Sequence, residues 1–72
     1  VTISAGGTVT FVNSDIAPHT VTSGTATDGP DGVWDSSLIM TDMSYSITLD
    51  NPGTYDYFCM VHPWMQGIVI VE

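Results

Sequence analysis

Lysine and arginine are absent from this chain of 72 residues, which carries eight acids and a formal net charge of −8 at pH 7. Such a surface repels phosphate backbones and anionic membranes, which excludes nucleic-acid binding, and it steers in a partner with a basic face. Cysteine is nearly absent too. With Cys59 alone no internal disulfide can form, yet a chain this short buries only about 60–65% of its unfolded surface and usually needs a staple. A bound metal is the staple that remains. No apolar run approaches the roughly 18 residues of a membrane-spanning helix, and the first residues lack the pattern of a secretory signal. The chain opens directly in strand-like sequence, as a mature or shortened form would.

Helical periodicity is also missing, and in its place the apolar residues recur with period two. Val1 and Ile3 alternate with Thr2 and Ser4 before Ala5-Gly6-Gly7 interrupts, and Val9 and Phe11 then share one face of Thr8–Asn13. After a turn at Asn13-Ser14-Asp15, a short strand is expected with His19 and Val21 on one side and Thr20 and Thr22 on the other. Residues 24–33, rich in Thr, Asp, Gly and Pro, read as a long surface loop, and a single helical turn fits Leu38–Thr41. Tyr45, Ile47 and Leu49 alternate with Ser44, Ser46 and Thr48, and Asp50-Asn51-Pro52-Gly53 has turn chemistry. Tyr55, Tyr57 and Cys59 share a strand face, and Ile68–Val71 supply a last apolar strand. These runs predict an all-β chain: one domain over residues 1–72, folded as a small antiparallel Greek-key β-sandwich or barrel.

The chemistry is concentrated in Cys59-Met60-Val61-His62-Pro63-Trp64-Met65 and in Pro18-His19, which hold the only cysteine and both histidines. Singly each has a plain role: Cys59 as a small buried hydrophobe, Met65 as core filling, His19 as a hydrogen-bonded strand end. Jointly they fall at one pole of the expected sandwich, where loops carry function, and they point to a metal site. Thiolate plus thioether is a soft set that favours copper in a one-electron centre. Zinc, held by Cys59, His19, His62 and a water, is the competing occupant, and Met65 argues against it. Iron–sulfur and haem sites lack their cysteines.

The chain resembles the cupredoxins, in the plastocyanin and amicyanin branch. The matching stretches are Val9–Asn13, Pro18–Val21, Trp34-Asp35-Ser36, Pro52–Cys59 and Gly67-Ile68-Val69, and the Cys59-x-x-His62-Pro63-x-Met65 core is the most specific. The resemblance implies a type 1 copper with His19, Cys59, His62 and Met65 as ligands, both histidines through Nδ1. The short spacing from His62 to Met65 is amicyanin-like. It further implies that Asn13 or Thr20 hydrogen-bonds across to the Cys59 loop, with Thr20 standing where many relatives have asparagine. Ala17, Pro18, Pro63 and Trp64, with Met60 beside them, would form an apolar docking patch around His62. Relatives usually carry a further strand or two before the Val1–Ser4 segment, so an N-terminal strand is expected to be lacking here.

The function these residues imply is one-electron carriage between redox partner proteins, by a monomer in an extracytoplasmic compartment, without enzymatic activity. An alternative is copper with an open or water-bound axial position acting on a small molecule such as nitric oxide. Phe58 and Met60 flank Cys59 where multicopper oxidases have histidines, and no histidine is left for a second copper. Copper storage through Met40, Met43, Met60 and Met65 is a third reading, against which Met40 and Met43 read as packing.

Overall fold

A computed structural model describes all residues, Val1–Glu72, as seven strands and no helix. They are β1 (Thr2–Ile3), β2 (Gly7–Val12), β3 (Thr22–Thr25), β4 (Gly29–Asp35), β5 (Ser44–Leu49), β6 (Gly53–Phe58) and β7 (Gln66–Val71). A five-stranded sheet runs β1-β7-β6-β3-β4, and β2 pairs with β5 in a second sheet. All pairings are antiparallel except β1 with β7. That parallel pair ties the two chain ends together: Ile70 N–H donates to Val1 O at 2.8 Å and Glu72 N–H to Ile3 O at 2.9 Å.

Alternation explains the layers. In β5, Ile47 and Leu49 are buried while Ser46 and Thr48 face outward, and in β7 Val69 and Val71 are buried between exposed Ile68 and Ile70. With Trp34 these inward residues make one core, against which Ile3, Val9, Phe11, Val21, Tyr45, Tyr55 and Tyr57 pack. Each fully buried aliphatic side chain contributes about 1.5–3 kcal/mol. The outward hydroxyls pair across the small sheet, Thr8 with Thr48 and Thr10 with Ser46, each at 2.9 Å.

Three local expectations are corrected. Residues 24–33 are not a loop: β3 and β4 form a hairpin, with Thr25 opposite Gly29. Gly24, at φ +123°, lets the backbone of Gly29 approach it closely, and Gly29 and Gly32 also adopt positive φ. Buried Ser23 then binds both backbone groups of Trp34, accepting from its N–H at 2.9 Å and donating to its carbonyl at 3.1 Å. Leu38–Thr41 forms no helical turn, because Ile39 instead bridges His19 through paired backbone bonds. His19 itself precedes its strand. β3 begins only at Thr22, and Thr20 and Thr22 are buried while Val21 packs against the core from its partly buried position.

Candidate metal centre

Two chain segments meet at one pole. Cys59 follows β6 directly, and the loop from Cys59 to Met65 is closed by two backbone bonds. Cys59 N–H donates to Met65 O at 3.0 Å, and Met65 N–H donates to His62 O at 2.9 Å. The second segment, residues 13–19, is folded around Asn13. Its buried amide donates to Ala17 O at 2.9 Å and to Ile39 O at 2.8 Å, and its carbonyl oxygen accepts Asp15 N–H at 2.9 Å. The Ile39 bridge then fixes where His19 stands.

At the meeting point Cys59 Sγ lies 3.6 Å from His19 Nδ1 and 3.7 Å from His62 Nδ1, and the two Nδ1 atoms are 3.1 Å apart. Donors sharing one ion through bonds of about 2.0–2.3 Å are separated by just such edges. The residues therefore fit one metal ion, and a set of two imidazoles and a thiolate suits copper. The imidazole rings stack obliquely with centroids 4.6 Å apart, and Trp64 meets His62 edge-on at 5.2 Å.

The frame also prepares the donors. Burial of Cys59, only 4% exposed, pushes its thiol pKa up, but the Thr20 N–H at 3.3 Å and both histidines outweigh it and bring it down to about 6. Sulfur is thus already poised as the thiolate that binds metal. His19 is raised above its ordinary value, first by the Cys59 sulfur and then by Asp15, whose carboxylate lies 3.1 Å from Nε2. Asp15 is held below the usual carboxylate range by that same contact and by the backbone N–H groups beside it.

Thr20 and Asn13 are placed differently. Thr20 faces the cysteine loop: beyond its N–H to Sγ, its Oγ1 accepts Met60 N–H at 2.8 Å. That hydroxyl continues to Thr22 Oγ1 at 3.1 Å and on to Asp35 Oδ1 at 3.1 Å, a hydrogen-bonded row from the loop into β4. Asn13 bonds within its own segment and to Ile39, not to the cysteine loop. Met65 is joined to Cys59 through the backbone; the residue is 46% exposed and lines, with His19 and Cys59, an open cavity of about 530 Å³. Of the patch residues, Trp64 is 74% exposed and Pro63 exposed, while Ala17 and Pro18 are half-buried. Asp15 escaped the sequence reading, though its place four residues before His19 in a turn was a signal.

The profile of the family described as "Copper binding proteins, plastocyanin/azurin family" matches residues 1–72. Amicyanin of Paracoccus versutus is 44% identical over 72 residues, covering 100% of this chain and 54% of that protein. Plastocyanin of Prochlorothrix hollandica is 37% identical over 75 residues, covering 97% of this chain and 57% of that protein. The chain thus spans little more than half the length of these relatives. Among solved structures, a novel purple cupredoxin from Nitrosopumilus maritimus superposes with a TM-score of 0.93 at 30% identity, over 100% of this chain and 76% of that one. The Cu(I) form of an amicyanin mutant gives a TM-score of 0.85 at 35% identity, over 100% and 68%.

Proposed function

The chain belongs to the plastocyanin/azurin family of copper-binding proteins, and on that premise we propose that it is a one-electron carrier. Its copper would be held by His19, Cys59 and His62, with the Met65 thioether as a further donor. The observation that carries this reading is the convergence of two Nδ1 atoms and one sulfur, all within 3.7 Å of one another. When bound, copper supplies the Cu(I)/Cu(II) couple.

The protein's part is to hold the donors still. His19 is fixed by the Ile39 bridge and the Asp15 carboxylate, Cys59 by its N–H to Met65 O and by the Thr20 N–H on sulfur. Little has to move when the charge changes, which keeps electron transfer fast. Exchange takes place at the His62 end, where exposed Pro63 and Trp64 give an apolar landing surface beside the ring. A partner with a basic face is favoured by the net charge of −8. Working as a monomer in an extracytoplasmic space, over residues 1–72 as one unit, is what membership in the plastocyanin and amicyanin branch supports. No helix is long and apolar enough to cross a membrane.

Voltammetry of the copper-loaded protein tests the reading. It predicts one reversible one-electron wave, lost in Cys59→Ser together with the visible colour. Copper uptake with no reversible wave, or a Cys59→Ser protein as strongly coloured as the parent, would refute it.

A further inference from the structure

We propose that Asp15 is a positioning residue of the copper centre: its carboxylate locks His19 in one tautomer, places a negative charge behind the ring, and so lowers the reduction potential. The inference rests on the copper-carrier reading and concerns the same site.

The carboxylate is built into its place. Asp15 N–H donates to Asn13 Oδ1 at 2.9 Å, and Asp15 Oδ1 accepts Ile16 N–H at 2.7 Å, so one oxygen closes the turn. The other, Oδ2, is left facing His19 Nε2 at 3.1 Å. An ionised carboxylate only accepts hydrogen bonds, so the ring proton sits on Nε2. On the neutral ring, as a metal ion requires it, Nδ1 then carries the lone pair, and Nδ1 is the atom that faces Cys59 Sγ and His62 Nδ1. Its orientation toward the ion follows from a contact on the opposite side of the ring.

The second histidine has no such support. No hydrogen bond engages His62 Nε2, and its other neighbours are the His19 ring and Trp64. The two imidazoles are therefore unequal: an anion backs His19 and nothing backs His62. A fixed negative charge stabilises Cu(II) more than Cu(I), and an anionic partner makes imidazole a stronger donor. The chain has no lysine or arginine to offset it. Solvent does reduce the effect, since the Asp15 side chain is 57% exposed.

Asp15→Asn is the discriminating variant, because the amide oxygen can still close the turn with Ile16 while its nitrogen cannot accept from Nε2–H. Cu(II) affinity should fall about 10–100-fold and Cu(I) affinity less, so the midpoint potential rises by that ratio, with the visible band retained. Asp15→Glu should recover part of the loss. Asp56→Asn on β6 makes the same charge change elsewhere and should leave the potential nearly unmoved. Above the pH at which the His19 ring becomes neutral, ¹⁵N NMR of the copper-free protein should show the Nε2–H tautomer alone, and a mixture in Asp15→Asn. An Asp15→Asn potential that moves no further than that of Asp56→Asn overturns the proposal, as does an unchanged His19 tautomer. Failure of the wild type to take up copper would instead remove the carrier reading, leaving the tautomer to judge Asp15 alone.

Discussion

Cys59 and Thr20 show how single groups make a pole of this sandwich reactive. In the copper-free protein the Cys59 thiolate absorbance should titrate near pH 6 rather than near the ordinary 9.0, because the Thr20 N–H and the histidines favour the anion over the cost of burial. The linkage has a definite sign. A depressed thiol pKa contributes stability that is full above about pH 9 and is lost as the pH falls through about 6. The midpoint of urea unfolding, compared between wild type and Cys59→Ala, should therefore diverge as pH rises across that window; curves that stay parallel would contradict it. Thr20→Val keeps the N–H to sulfur but removes the acceptor for Met60 N–H. It should cost about 1–3 kcal/mol, read as a lower denaturation midpoint at an unchanged m-value.

At the scale of elements, what the sequence made legible followed from period two. β2, β5, β6 and β7 could be placed from Val9 and Phe11, Ile47 and Leu49, Tyr55 and Tyr57, and the Ile68–Val71 run, because one wet and one dry face impose that alternation. The β3–β4 hairpin was hidden. Its residues Thr22–Thr25 and Gly29–Asp35 are mostly polar or glycine, and apart from the core residue Trp34 its inward hold is a hydrogen-bond set around Ser23. Such a pattern imitates a loop. Gly24→Ala tests that element: at φ +123° and against the Gly29 carbonyl, an added Cβ should cost about 1–3 kcal/mol, seen as loss of amide protection confined first to β3 and β4. At the pole, His19, Cys59 and His62 were legible as a group because few other residues could ligate. Asp15 was not, since a carboxylate in a turn has many ordinary uses and only the fold sets it against Nε2.

For the whole molecule, the sheets bring residues 43 positions apart in sequence, His19 and His62, to within 3.1 Å at their Nδ1 atoms. Ion binding there stabilises the folded chain by linkage: about 2.7 kcal/mol at free copper 100 times its dissociation constant. Loading with Cu(II) should accordingly raise the melting temperature of the wild type and leave that of Cys59→Ala nearly unchanged. The same fold pairs β1 with β7 beside the core, with no disulfide to help.

The most direct measurement of the central claim is the visible and electron paramagnetic resonance spectrum on titration with Cu(II). An intense thiolate-to-copper band should saturate at one equivalent, disappear on reduction and return on oxidation. A protein that stays colourless through one equivalent, with copper signals identical to those of Cys59→Ser, would contradict that claim and return Cys59 to the core.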